Sequence, residues 1–394
     1  MNFRYNNKLM QFEYYDNTWK PLYNDGIKQS ISIPQKIDRY RIEVSLCCDL
    51  NCKYCVVHMN NVQQQNTIMS LDTAKNIVNK FNAEVGSNGS VFIIGGEPLT
   101  NIPVTKYIIE NIKGSSVIFT NALKLSDDLI DFFKHYNTYI LTSFDGYSIE
   151  QNESRFWPNV AENYNKVLKN ITRAVNKGCK VGVSCLLHDG NLGEAKKIAS
   201  FFTETIGAKS MSFAYPHLTV IDSPENHFDF SKYTKDMKDL YDLSKEKGIY
   251  IDQIGKIVYS IIYSKPFIIG CRAGTTQRAY YPNGEETICT KIDTLSSWDF
   301  KEYIEKLPAF SNDCKKCNAY LLCSGECPWD FAVSQLSNKG HNRICDFRSS
   351  LVEYIIKDIV NDLNATEDEE EAKRLINSVF VPMTNNYCNN ILRE

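Results

Sequence analysis

Between Tyr40 and Tyr215 the chain alternates short apolar runs with amphipathic stretches, and no other feature limits its fold as strongly. The runs are Arg41–Leu46, Val91–Ile94, Ser116–Phe119, Tyr139–Ser143, Lys180–Leu187 and Ser210–Tyr215. They are rich in Val, Ile and Phe, which suits parallel strands covered on both faces. Between them, apolar residues recur at helical spacing. Leu71, Ala74, Ile77, Val78, Phe81 and Val85 form one stripe behind an N-cap at Ser70. Val160, Tyr164, Val167, Leu168, Ile171, Ala174 and Val175 form a second, stopped by Gly178. Leu192, Ala195, Ile198, Ala199, Phe202 and Ile206 form a third, stopped by Gly207. Six βα repeats predict an α/β fold, and the pattern admits either a doubly wound sheet or a barrel, complete or partial.

The chain of 394 residues exceeds the size at which single cores stop growing, so more than one domain is expected. Residues 1–38 read as a β appendage, with alternation from Leu9 to Tyr15, a turn at Asp16-Asn17 before Trp19–Tyr23, and Pro34 closing the segment. Such an appendage can take a peptide by strand addition. Residues 39–250 hold the βα repeats. Over 264–350 the periodicity fades, and seven of the fourteen cysteines crowd between Phe267 and Cys345. Few apolar residues remain there for a core, so bound metal or clusters are expected to hold the fold. In the tail, 351–394, Leu351–Leu363 reads as a closing helix and the acidic run Glu367–Glu371 as a solvated face or linker.

A net charge of −3 gives no general attraction to nucleic acid or acidic membranes. There is no apolar run of about 20 residues and no apolar stretch of signal-peptide type at the N-terminus, so a cytoplasmic protein is expected. In that reducing compartment the cysteines serve better as ligands than as disulfides.

Directly after the first strand-like run come Cys48, Cys52 and Cys55, spaced Cys-x3-Cys-x2-Cys. Three thiolates can hold three irons of a [4Fe–4S] cluster, leaving the fourth iron open to a small molecule. Zinc also fits the Cys52-x2-Cys55 pair, with Cys47 or His58 as candidates to complete it. Cys47 reads better as a buried strand residue. Gly95-Gly96-Glu97-Pro98 follows the second run, where two glycines let backbone approach a ligand closely.

In spacing, order and context these motifs resemble the signature of the radical S-adenosylmethionine (radical SAM) enzymes. The resemblance implies a partial (β/α)6 TIM-like barrel with its sites at the C-terminal strand ends. It places Tyr54 beside the adenine of S-adenosylmethionine and Gly95, Gly96 and Glu97 at the methionine amino group. It also directs Asn121 (after Thr120), Ser143 (before Phe144-Asp145-Gly146) and Arg155 to the ribose and carboxylate. Tyr215 and His217 close the sixth run, where either a substrate contact or a structural role fits.

The later cysteines follow a pattern: Cys271, then Gly284 and Cys289, then Cys314-x2-Cys317-x5-Cys323-x3-Cys327, and Cys345. This is similar to the SPASM domain of radical SAM enzymes that modify peptides and proteins, and the two resemblances together cover roughly residues 40–350. They imply two auxiliary clusters of the [4Fe–4S] kind, one on Cys271, Cys289 and Cys327 and the other on Cys314, Cys317, Cys323 and Cys345. The first lacks a fourth cysteine. An open iron, a smaller cluster, or a non-cysteine ligand between Arg272 and Thr287, such as Gln277 or Glu285, would each account for that. A pair of zinc-ribbon-like sites is the rival reading. Cys179, Cys185 and Cys388 fall outside both patterns, and Cys185 fits either a core position or a barrel-facing hydrogen-atom donor.

The resemblance implies an enzyme that cleaves S-adenosylmethionine to a 5′-deoxyadenosyl radical and abstracts hydrogen from a ribosomally made precursor peptide. A thioether or carbon–carbon crosslink is the implied outcome, and a small electron donor of flavodoxin or ferredoxin type the implied partner. No residue is assigned as the catalytic acid or base. Two alternatives stand beside this. One is an anaerobic sulfatase maturase making formylglycine, although those enzymes carry Asp after the second SPASM cysteine, where this chain has Thr290 and its next acid is Asp293. The other is a non-catalytic metal-binding protein.

Overall fold

The computed structural model describes residues 1–23, 32–34, 36–57, 67–217, 228–291, 300–325, 327–330 and 341–385; His58, Asp293 and Cys388 lie outside them. Three antiparallel strands open the chain: β1 (Asn2–Asn6), β2 (Gln11–Asp16) and β3 (Thr18–Pro21). Asn17, with φ of 55°, makes the tight turn between the last two.

The central sheet holds β4 (Arg39–Ser45), β5 (Ser90–Gly95), β6 (Ser115–Thr120), β7 (Tyr139–Ser143), β8 (Val181–Leu186) and β9 (Ser210–Ala214). Each pairs in parallel with the next. Spatial order equals chain order, whereas a doubly wound sheet would reverse direction at a switch point. The fold is therefore a (β/α)6 barrel. It is partial, because β4 and β9 do not pair among the described residues. Both borders are extended instead. A short β10 (Tyr250–Ile251) lies on β9, while β11 (Gln277–Tyr280) runs parallel to β4, with β12 (Glu286–Thr287) antiparallel beyond it. The cysteine-rich segment is thus stitched onto the strand that precedes the first cysteine loop.

The outer layer includes α1 (Leu71–Glu84), α2 (Ile102–Asn111), α3 (Asp127–His135), α4 (Val160–Asn176) and α5 (Ala195–Phe201). Further on come α6 (Phe230–Lys247), α7 (Asp252–Ile262) and α8 (His341–Asn364). Ser70 caps α1, its Oγ accepting from the Thr73 N–H at 3.1 Å. Leu192, expected in the third stripe, sits in a turn before α5, where the Gly193 N–H donates to Asp236 at 2.6 Å. The closing helix begins at His341 rather than Leu351, and Ile344 and Phe347 in its first turns are buried in line with Leu351. The acidic run enters a short helix, Glu369–Leu375, capped by Asp368.

Strand alternation divides the core. Tyr40, Ile42, Val44, Val91, Ile93, Val183, Cys185 and Phe213 pack outward with the helices. Phe92, Ile94, Val117 and Tyr139 make a separate cluster on the inner face. The Tyr139 hydroxyl crosses that face to Ser210 Oγ at 2.9 Å, passing over Gly182, where a Cβ would collide with it. A charged network clamps β11 and β12 to α1: Arg278 reaches both Glu84 and Glu286, and Lys80 reaches Glu286. The N-terminal sheet docks on α8, the Phe3 N–H donating to Asn364 Oδ1 at 2.7 Å. Among the described residues no helix is long and apolar enough to cross a membrane.

Candidate active site

Cys48, Cys52 and Cys55 lie on the loop leaving β4, all partly buried, and no described cysteine forms a disulfide. Burial pushes the Cys48 thiol up to about 12, and negative charge on Glu97, Cys52 and Cys55 adds to this. Burial also raises Cys52 to about 11, partly offset by the Arg155 guanidinium. Three thiols gathered on one loop can hold a cation, which takes the place of their protons. The loop is tied at its middle: the Lys53 N–H donates to the Ser154 carbonyl at 2.9 Å, and Cys52 Sγ donates to the Arg155 carbonyl at 3.5 Å. Cys47 differs from expectation. β4 ends at Ser45, so Cys47 is partly exposed in the loop, and its carbonyl accepts from the Glu97 N–H at 2.8 Å.

Gly95 and Gly96 bring the end of β5 against this loop. A Cβ on Gly96 would stand 2.6 Å from the carbonyl oxygens of both Leu46 and Cys47, so only glycine permits the approach. Glu97 is almost fully buried. Its Oε1 accepts from the Leu99 N–H at 3.0 Å and Thr120 Oγ1 at 2.7 Å, and its Oε2 from the Asn121 N–H at 2.7 Å. Three of the roughly four acceptor positions of a carboxylate are filled, leaving one on Oε2 for an incoming ammonium. Burial raises this carboxyl to about 7 despite those donors. Asn121 also directs its Nδ2 at Cys48 Sγ, 3.8 Å away.

Asp145, at the end of β7, organises the opposite wall. Arg155 grips it with two bonds, Nε to Oδ2 at 2.9 Å and Nη2 to Oδ1 at 3.2 Å. The Leu186 N–H donates to Oδ1 at 3.0 Å, and the Tyr54 hydroxyl donates to Oδ2. Burial opposes the Arg155 charge, but the carboxylate outweighs it and holds the guanidinium above its ordinary value. Tyr54 is thereby locked over the site, its ring 5.5 Å from the Arg155 guanidinium and 6.0 Å from His188. Ser143 ends β7 half-buried beside Ser184 of β8. Sequence reasoning mentioned Asp145 only as part of a turn; its role as hub depends on contacts from three distant segments.

The other cysteines form two groups. Cys271, Cys289 and Cys327 are close enough that charge on Cys271 and Cys289 raises the Cys327 thiol, although burial and Asp330 raise it more. Cys314 senses Cys317, Cys323 and Cys345 in the same way, after burial. These four thiols line one cavity of about 70 Å³ with walls including Tyr303, Leu307, Tyr320 and Ile344. A largely apolar cradle lined by four thiols suits an iron–sulfur cluster. Arg348 of α8 reaches Cys323 Sγ at 3.7 Å and Ser324 Oγ at 3.3 Å.

Gln277 and Glu285, the expected supplementary ligands, are placed otherwise. Gln277 bonds the Ile288 carbonyl at 3.5 Å within the β11–β12 turn region, and Glu285 is exposed beside Asn283. Cys185 is fully buried among outward-packing residues, which fits the core position and not a barrel-facing donor. Cys179 is partly buried and bonds the Ile130 carbonyl at 3.5 Å. Tyr215 packs in an aromatic group with Phe228, Phe230 and Tyr233. Thr290, buried, donates its hydroxyl to Glu43 Oε1 at 2.7 Å, and Lys291 Nζ donates to the same oxygen at 3.0 Å. Glu43 is fully buried on the inner face of β4, and its Oε2 has no hydrogen-bond partner among the described residues. Nothing in a strand reading of Arg41–Leu46 signalled this carboxylate.

A parallel partial barrel with three cysteines leaving its first strand defines the radical SAM class. Residues 42–202 match the family model described as the radical SAM superfamily, so that stretch is a radical SAM domain, and the cysteine-rich segment follows it. A similar curated protein is the radical SAM cyclopropyl synthase TigE of Paramaledivibacter caminithermalis, 21% identical over 335 residues, covering 75% of this chain and 69% of that protein. Among solved structures, anSMEcpe with S-adenosylmethionine and a peptide bound aligns with a TM-score of 0.66 at 17% identity, covering 83% of this chain and 99% of that one. SuiB of Streptococcus suis, bound to its precursor peptide SuiA, aligns with a TM-score of 0.52 at 15% identity, covering 75% of this chain and 72% of that one.

Proposed function

We propose that this protein is a radical SAM oxidoreductase that modifies a ribosomally made precursor peptide, introducing a thioether or carbon–carbon crosslink. The observation that carries the proposal is the sorting of ten cysteines into three groups, the first of which shares a loop cradle with Glu97 and the Asp145–Arg155 pair. Similar proteins that bind S-adenosylmethionine and peptides support it. When bound, the cluster on Cys48, Cys52 and Cys55 together with S-adenosylmethionine supplies reductive cleavage and a primary radical able to take hydrogen from the peptide. Glu97 Oε2 holds the cofactor ammonium. Arg155, fixed by Asp145, faces its carboxylate, and Tyr54 closes over the adenine. Cys271, Cys289 and Cys327 would hold one auxiliary cluster, and Cys314, Cys317, Cys323 and Cys345 another, and such clusters would supply an acceptor for the electron that peptide oxidation releases. A flavodoxin or ferredoxin type protein supplies the reducing electron, in a cytoplasmic setting.

One observation favours formylglycine formation as a second reading. Glu43 brings a carboxylate to Thr290, the position at which sulfatase maturases carry an acid. The test is to incubate the anaerobically purified, reduced protein with S-adenosylmethionine and short peptides encoded beside its gene. The expected result is 5′-deoxyadenosine together with a peptide that has lost two hydrogens. Zinc in place of iron, or undiminished 5′-deoxyadenosine from the Cys48/Cys52/Cys55→Ala protein, would overturn the proposal. A modified sulfatase peptide bearing an aldehyde would establish the second reading.

A further inference from the structure

The cysteine group without a fourth thiol has another metal-binding side chain beside it. A ring nitrogen of His217, the Cys327 Sγ and a carboxylate oxygen of Asp330 lie within 4.8 Å of one another. His217 Nδ1 is 2.9 Å from Asp330 Oδ1, and the Asp330 side chain is almost wholly buried. With Nδ1 turned to the carboxylate, Nε2 is the ring nitrogen left to meet a metal. A histidine whose second nitrogen is held by a carboxylate is the usual arrangement of an imidazole bound to metal. The ring of buried Trp329 meets the imidazole edge-on at 5.1 Å, which restricts its rotation.

Topology explains why this residue comes from so far away in sequence. Cys271 and Cys289 flank β11 and β12, which extend the sheet from its β4 border. His217 follows β9, the last strand of the barrel proper, two residues after Ala214–Tyr215. β4 and β9 do not pair, so a group held from both borders would span the open side of the barrel. Histidine in place of cysteine on iron–sulfur clusters is chemically sound, as in two-histidine [2Fe–2S] centres.

We infer that His217 is the fourth protein ligand of the auxiliary cluster on Cys271, Cys289 and Cys327, binding through Nε2 and oriented by Asp330. The inference rests on the cluster reading above, and iron analysis separates the failure of one from that of the other. The test uses the full chain with Cys48, Cys52 and Cys55 replaced by Ala, so that only auxiliary clusters contribute. Pulsed electron paramagnetic resonance of the reduced protein should show a directly bound nitrogen, whose signal changes isotope pattern when histidine alone carries 15N. His217→Cys should keep the iron content and lose the nitrogen signal. His217→Ala should leave an iron that 2-mercaptoethanol can occupy, shifting one cluster's spectrum, whereas the parent's spectrum stays unchanged. Full auxiliary iron without histidine-dependent nitrogen coupling would overturn the ligand assignment. Absence of iron from the parent protein would instead overturn the cluster reading.

Discussion

Replacing Arg155 by Met tests how the wall opposite Glu97 is held. Asp145 is completely buried and Arg155 nearly so, and the pair shares two hydrogen bonds. Without the guanidinium, the carboxylate keeps only the Tyr54 hydroxyl and the Leu186 N–H as charge-compensating partners on its oxygens. Breaking a buried pair by removing one member costs about 3–5 kcal/mol. For a unit the size of this barrel that corresponds to a fall in melting temperature of roughly 6–20 °C, at about 2–4 °C per kcal/mol. The double variant Arg155→Met/Asp145→Asn removes both charges and should regain more than half of the loss, since no unpaired charge remains. Thermal unfolding of the three anaerobically prepared proteins, followed by circular dichroism, makes the comparison. The reasoning fails if Arg155→Met unfolds within a degree or two of the parent, or if the double variant is no more stable than the single one.

Two further outcomes follow from the first cysteine loop. Glu97 holds an ammonium only as a carboxylate, and burial has raised it to about 7, so cofactor affinity should increase with pH up to that point and then level. Binding the ammonium favours the ionised form and expels the proton, so below about pH 7 affinity should fall by up to about tenfold per pH unit; pH-independent binding of S-adenosylmethionine to the cluster-loaded protein, measured by calorimetry, would contradict this. Gly96→Ala forces a Cβ against the Leu46 and Cys47 carbonyls and should displace the loop. The cost is about 1–3 kcal/mol, and elemental analysis should find roughly a third of the iron missing, the share of one cluster in three.

The fold was legible where its cause is local. Alternation and helical stripes placed all six barrel strands to within two residues at each end, because each strand buries apolar residues against the outer helices. The choice between barrel and doubly wound sheet was not legible, since it lies in strand order and leaves no periodic trace. Cysteine spacing likewise grouped the thiols that the chain brings together. What escaped notice are the polar groups with distant partners. Glu43 meets Thr290 and Lys291, Asp145 gathers Tyr54, Arg155 and Leu186, and His217 meets Asp330. A single acid in a strand, or a histidine after one, looks the same in sequence whether it is solvated or buried against a partner.

These distant contacts also explain how one chain can hold three cysteine groups in fixed relation. The first group hangs from the C-terminal end of β4, and two members of the second, Cys271 and Cys289, flank the β11–β12 pair hydrogen-bonded beside it, with Gln277 in register with Arg39. The third group is tied to the barrel's other border by Arg348 of α8, which contacts Cys323 and also bonds Tyr215, the residue that follows β9. The aromatic group around Tyr215 extends this contact, for the Tyr233 ring of α6 meets the Phe347 ring of α8 at 4.8 Å. Close-packed cores transmit displacement rather than absorb it. Movement of any one group therefore strains sheet hydrogen bonds or a buried guanidinium.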